Sequence, residues 1–207
     1  YAPGRMAAAR SYPKLSIDYW ASGVFHLFER MSFALSHRIV IPTWGNTGQI
    51  GMEKYKGKTS AAMYMYVADS FGEKKDWRAR DNVVGYVGRL VAIKGALQLA
   101  ESIPLILQTR KDLRFLIVGD GVLMEDMKKC LESNGCLDKV RFAGWVPNES
   151  IPDYLNEMKF HVLPSPFESP GAINLEAMAC GTVVIANGAG GIPDVVIEDR
   201  TGFIMED

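Results

Sequence analysis

Arg89 and Lys94 stand five positions apart, between a β-rich run and the start of an amphipathic segment. Two cations beside a helix N-terminus suit a diphosphate, because the partial positive charge of the helix end adds to that of the side chains. The same residues also fit solvated charges at a helix start, and spacing does not choose between the two. A second pair, Glu168 and Glu176, lies eight positions apart across a later helix start. With Ser169 as N-cap and Pro170 at the first helical position, Glu168 falls just outside the helix, while Glu176, almost two turns in, leans back toward the same rim. Both carboxylates are then expected to face one cleft. Glu176 has Leu175, Ala177, Met178 and Ala179 as neighbours, a setting in which a carboxylate is costly unless hydrogen-bonded, and ligand hydroxyls would supply those bonds. Acids placed to complement the helix dipole are an equal alternative. A glycosidase-type acid and nucleophile pair ranks last, since no aromatic sugar platform accompanies it and the fold is wrong.

These side chains converge only if the chain forms an open α/β sheet, in which ligands bind at the carboxyl ends of the strands. From Asn82 onward, short β-rich runs alternate with amphipathic segments, the signature of a Rossmann-like parallel sheet with helices on both faces. Strands are expected over residues 82–88, 113–118, 139–142, 160–163 and 182–186. A helix over 94–109 carries Leu97, Ala100, Pro104 and Leu107 on one face, with a kink at Pro104. The turn at Gly119, Asp120 and Gly121 opens a helix with Leu123, Met127, Cys130 and Leu131, ended near Gly135. Gly119 and Gly121 let a backbone approach a ligand closely, as in many such sheets. Asn148 is placed to cap a short helix through Met158, and the helix begun at Ser169 and Pro170 stops at Gly181. A loop with Gly188, Gly190 and Gly191, a helical turn over 192–197 and an extended tail over 202–205 follow.

The first part of the chain is less regular. A helix over 16–35, a strand over 38–42, a helix near 47–55 and an extended piece over 61–67 give residues 1–71 the character of a remnant of another domain. Residues 72–81 are charged, lack apolar periodicity and are expected to be a linker to the domain over 82–207. The sequence opens at Tyr1 and closes on a strand with no helix after it, so a fragment truncated at both ends is expected.

A net charge of −1 with dispersed Lys and Arg argues against nucleic acid or anionic membrane as partners and leaves small-molecule binding as the default. Cys130, Cys136 and Cys180 form no CxxC pair, so neither zinc nor a disulfide framework is expected, and they fit a reducing, cytoplasmic setting. The stretch from Ile17 to Trp44 is too polar for a membrane span, and no signal peptide is evident. His161 is expected to be a satisfied core group in a buried strand, and His26 and His37 match no catalytic position. Trp20, Trp44 and Trp77 are assigned to packing.

Gly88-Arg89-Leu90 with Lys94-Gly95, the run 118–121, the run Phe142 to Val146, Pro164-Ser165 with the two glutamates, and the run Leu175 to Gly181 occur in that order. Together they closely resemble the C-terminal domain of family 4 retaining glycosyltransferases (group 1), over residues 82–207. The resemblance implies half of a two-domain GT-B enzyme, with this half binding a UDP-, GDP- or ADP-sugar donor and the other binding a hydroxyl acceptor. It places Arg89 and Lys94 on the diphosphate, with no metal or other cofactor needed. Glu168 then meets the donor sugar, Glu176 the ribose, and the backbone around Trp145 and Val146 the base. Gly88 and Gly119 line the donor, and the N–H groups of Gly171 and Ala172 add to the phosphate or sugar contacts. One departure stands out: Ser169 and Pro170 replace the glycine and aromatic residue common in the family, and proline removes a backbone donor. Residues 1–81 resemble the last helices and strands of the acceptor domain, so any membrane contact is expected to lie in the N-terminal part that this sequence lacks. The rival readings are a nucleotide-binding module without transferase activity and a GT-B sugar-nucleotide epimerase. An NAD-dependent enzyme is disfavoured because the first strand is followed by Gly-Arg-Leu and not by GxGxxG.

Overall fold

The computed structural model describes residues 17–45, 47, 51–62, 65–166 and 168–205, and the chain divides into two units, 1–64 and 65–207. In the smaller unit α1 (Ile17–Leu35) leads to β1 (Ile39–Ile41), which pairs in parallel with β2 (Thr59–Ala61). Ile39, Ile41 and Met52 make its small core, with Phe33 and Tyr55 packed against them. The Lys58 ammonium donates to the carbonyls of Ala34 and Ser36 at 2.8 and 2.7 Å, closing the carboxyl end of α1 where a cation is favoured. Where a helix was expected near 47–55, the chain turns at Gly51 and forms a 3-10 helix over Glu53–Lys58. Residues 48–50 lie outside the described residues, as do Ser16, the side chain of Trp20, and residues 63 and 64 within the expected extended piece. The strand there ends at Ala61.

The larger unit runs β3 (Val83–Val87), α2 (Ala96–Thr109), β4 (Arg114–Val118), α3 (Met124–Ser133), β5 (Val140–Gly144), α4 (Ile151–Glu157), β6 (Phe160–Leu163), α5 (Ala172–Ala179), β7 (Val183–Asn187) and β8 (Gly202–Met205). The six strands are all parallel and lie in the order β5-β4-β3-β6-β7-β8. This is the Rossmann-like arrangement expected. The order reverses direction between β3 and β6, which leaves a crevice at the carboxyl ends of those two strands. Apolar runs such as Phe115 to Val118 are buried along their whole length, as strands covered by helices on both faces must be.

Several local expectations change. The apolar face of the first crossover helix is shifted from the expected one: Ala96, Leu99, Ala100 and Ile103 are buried, so Ala100 of the expected set is fully buried and Leu107 packs partly against the core. Asn148 starts a 3-10 turn without capping through its side chain, and α4 begins at Ile151. The tail over 202–205 is a sixth strand, β8, paired with β7.

Residues 72–81, expected as a linker, are fixed to the larger unit, and the boundary between units falls at residues 64 and 65. The Lys74 amide donates to Asn156 Oδ1 at 2.7 Å. Trp77 donates from Nε1 to the Lys159 carbonyl at 2.9 Å and meets Phe160 edge-on. Arg80 is 3% exposed. Its guanidinium donates to the carbonyls of Leu155, Met158 and Cys180 and to Thr182 Oγ1. Those carbonyls belong to the carboxyl ends of α4 and α5, where backbone acceptors lack intrahelical partners and a cation is favoured. A segment without apolar periodicity is therefore ordered by polar bonds that no periodicity reveals.

Candidate functional site

The loops after β3, β4 and β5 are joined by their backbones. Gly88 N–H donates to the Val118 carbonyl and Leu90 N–H to the Asp120 carbonyl, both at 2.9 Å, while Leu123 N–H returns to the Leu90 carbonyl at 3.1 Å. Gly119 N–H donates to the Gly144 carbonyl at 2.8 Å. Gly119 has φ +135°, and a Cβ there would lie 1.9 Å from the Gly88 carbonyl oxygen. The close approach that this glycine permits is thus to the neighbouring loop, which fixes the rim before any ligand arrives. Trp145, next to Gly144, is 75% exposed, and Val146 packs partly against the core.

Lys94 ends a 3-10 turn over Ala92–Lys94, and α2 starts two residues later than expected, at Ala96. The turn is wedged against the loop after β6. A Cβ on Gly95 would sit 2.2 Å from the Pro164 carbonyl oxygen, and Ser165 Oγ donates to the Ile93 carbonyl at 2.8 Å. This contact brings Lys94 Nζ to 2.5 Å from Glu168 Oε2, with the two side chains 23% and 14% exposed. Arg89 is exposed, and its side chain makes no hydrogen bond or ion pair among the described residues. Its carbonyl accepts from the buried Tyr86 hydroxyl at 2.9 Å. Burial, then the charge of Glu168, pushes the Tyr86 phenol well above its ordinary range, so it remains a neutral donor. Tyr86 was not singled out from the sequence. The signal available was a tyrosine in a strand buried on both faces, whose hydroxyl needs a partner.

The helix start that carries the two glutamates differs from the expected one. Gly171, at φ 70° and ψ 77°, precedes α5, so Ser169 does not cap the helix and Pro170 stands outside it. A residue before proline is disfavoured in the α region, which opposes a helix start at Ser169, and the chain enters the helix through the left-handed Gly171. Glu176 therefore lies about one turn into the helix. No hydrogen bond or ion pair joins its side chain to another described residue, and burial raises its carboxyl above the ordinary value. Glu168 instead faces Lys94, and its carbonyl accepts from Gly191 N–H at 3.0 Å. No described acceptor meets the N–H groups of Gly171 and Ala172, as is usual for a helix start.

His161 is buried as expected but is not satisfied: among the described residues neither ring nitrogen has a partner, nor does the Asn174 amide. Burial holds the imidazole down at about 4, so it is neutral. Two clefts, of about 430 and 410 Å³, open at the amino ends of the strands, beside Thr182 with Gly202 and beside Leu107 with Lys139. Neither includes a candidate residue. Among the described residues no group of three or more His, Cys, Asp or Glu side chains could hold a metal ion, and no helix is long and apolar enough to cross a membrane.

The arrangement can bind an anion at Arg89 and Lys94 and hydroxyls at Glu168 and Glu176. A family model described as glycosyl transferases group 1 matches residues 81–207. The 2-deoxystreptamine glucosyltransferase of Streptomyces kanamyceticus is 35% identical over 114 residues, which cover 55% of this chain and 30% of that protein. The match spans about a third of the length of such curated relatives. Among solved structures, sucrose-phosphate synthase from Thermosynechococcus elongatus superposes with a TM-score of 0.77 at 23% identity, covering 98% of this chain and 52% of that one. Alr3699/HepE of Anabaena in complex with UDP-glucose gives 0.67 at 19% identity, covering 89% and 54%.

Proposed function

As the chain belongs to the glycosyl transferases group 1 family, we propose that its larger unit is the donor-binding half of an enzyme that transfers a hexose from a UDP-, GDP- or ADP-sugar to a hydroxyl acceptor with retention of configuration. The observation that carries this reading is the gathering of Arg89, Lys94 and Glu168 at the switch point between β3 and β6. In this reading Arg89 and Lys94 hold the diphosphate and balance the charge that develops as the glycosidic bond breaks. Glu168 accepts from hydroxyls of the sugar. Glu176, half-buried and without a partner among the described residues, accepts from the ribose, which removes the cost of its lone carboxylate. The N–H groups of Gly171 and Ala172 add phosphate or sugar contacts, and the backbone at Trp145 and Val146 meets the base. Gly88 and Gly119 form the floor. The UDP-glucose complex of Alr3699/HepE supports a nucleotide sugar as the ligand class.

Calorimetric titration of the chain with UDP, GDP and ADP tests the reading. Saturable binding of one nucleotide is expected, weakened at least roughly tenfold in an Arg89→Ala, Lys94→Ala double variant, since each charge-assisted bond is worth about 1.5–3 kcal/mol. A folded chain that binds none of the three overturns it.

A further inference from the structure

We infer that the Lys94–Glu168 ion pair is a built-in competitor for the phosphate site, which weakens the hold on a sugar-free nucleoside diphosphate and makes Glu168 a residue that discriminates donor from product. The inference rests on the donor reading above. Lys94 and Glu168 lie on two loops that cannot easily separate: Gly95 is wedged against the Pro164 carbonyl, Ser165 is bonded to the Ile93 carbonyl, and the Glu168 carbonyl is held by Gly191. A change of partner at this place is therefore a matter of side chains alone. The 2.5 Å contact is mostly shielded from solvent, so salt and water weaken it less than they weaken a surface pair.

A free nucleoside diphosphate draws Lys94 onto its phosphates and leaves the Glu168 carboxylate partly buried without its cation, a costly state. A nucleoside diphosphate sugar makes the same demand on Lys94 but brings hydroxyl donors to Glu168 at the same time. The two ligands thus share the cost of opening the pair, and only the sugar-bearing one offsets it. Selectivity of this kind is a difference of affinities obtained by penalising the wrong occupant. For a transferase it means that the spent nucleotide leaves more readily than the donor.

The test measures dissociation constants for UDP, GDP or ADP, whichever the unmodified chain binds, and for the matching glucose conjugate, in Glu168→Gln with and without Lys94→Met. Removing the carboxylate is expected to tighten the free nucleotide, roughly three- to tenfold as coupling energies between neighbouring charges suggest, and to shrink its disadvantage against the glucose conjugate. With Lys94→Met already in place, the same replacement should change nucleotide affinity by less than about twofold. Should Glu168→Gln not fold, Glu168→Asp, too short by one methylene to keep the contact, is expected to move affinity in the same direction. Unchanged or weaker nucleotide binding overturns the inference, as does an equal gain without Lys94, which would mark simple repulsion of phosphate. Absence of binding by all three nucleotides to the unmodified chain would instead remove the donor reading on which the inference stands.

Discussion

Arg80 and Arg89 flank the same strand, β3, nine positions apart in sequence, and they have opposite surroundings. Arg80, at the amino end, is buried, and its guanidinium is met from within the chain by the Lys75 carbonyl, Thr182 Oγ1 and carbonyls at the carboxyl ends of α4 and α5. Arg89, at the carboxyl end, is exposed, and its side chain bonds to nothing in the described chain, while its backbone is fixed by Tyr86. The difference separates a cation that completes the fold from one left over for a ligand. Partner supply, more than residue type, distinguishes the two. The same criterion sets Glu176, half-buried and unpaired among the described residues, apart from carboxylates such as Asp112, which Arg110 holds well below the usual range.

The largest expected effect lies at the amino end. Arg80→Ala removes a buried guanidinium that bonds the Cys180, Leu155 and Met158 carbonyls and Thr182 Oγ1, and is expected to cost about 3–5 kcal/mol of stability, read by denaturant unfolding. The nucleotide affinity of the folded fraction should stay within about twofold. A loss under about 1 kcal/mol would mean that the buried network is not a clamp. Arg89→Ala should do the reverse: stability within about 0.5 kcal/mol of the parent, and nucleotide affinity lower by roughly ten- to a hundredfold. If Arg89→Ala unfolds the chain while Arg80→Ala abolishes binding, the comparison is inverted and the site lies at the wrong end of the sheet.

The smallest effect concerns Glu176. Because burial raises its carboxyl in the folded chain, the native state binds more protons than the unfolded state between the ordinary glutamate value and the raised one. Stability contributed by this group is therefore lost as pH rises through that window. Glu176→Gln should flatten this fall in a series of unfolding curves at increasing pH. Coincident slopes for the two proteins would show that the side chain is solvated and is not held in reserve for a ligand.

Local pattern was enough for much of the molecule. Alternation of β-rich and amphipathic runs from Asn82 fixes five parallel strands and their crossover helices, because burial on both faces and the helical repeat both leave a short-range imprint on residue type. Order and spacing of Arg89, Lys94, Glu168 and Glu176 are also sequence properties, and so is the family to which they belong. Which of these groups face one another was decided only in three dimensions. Lys94 meets Glu168 across 74 positions, and Arg80 reaches Cys180 across 100, distances over which periodicity carries no information. The start of α5 was misplaced for a related reason: Ser169 and Pro170 have the residue types of a cap and a first turn, but packing of the loop after β6 put the left-handed Gly171 there instead. Propensity is a local weight of about 1 kcal/mol or less per residue, and tertiary contacts that fill a core or satisfy a buried carbonyl outweigh it.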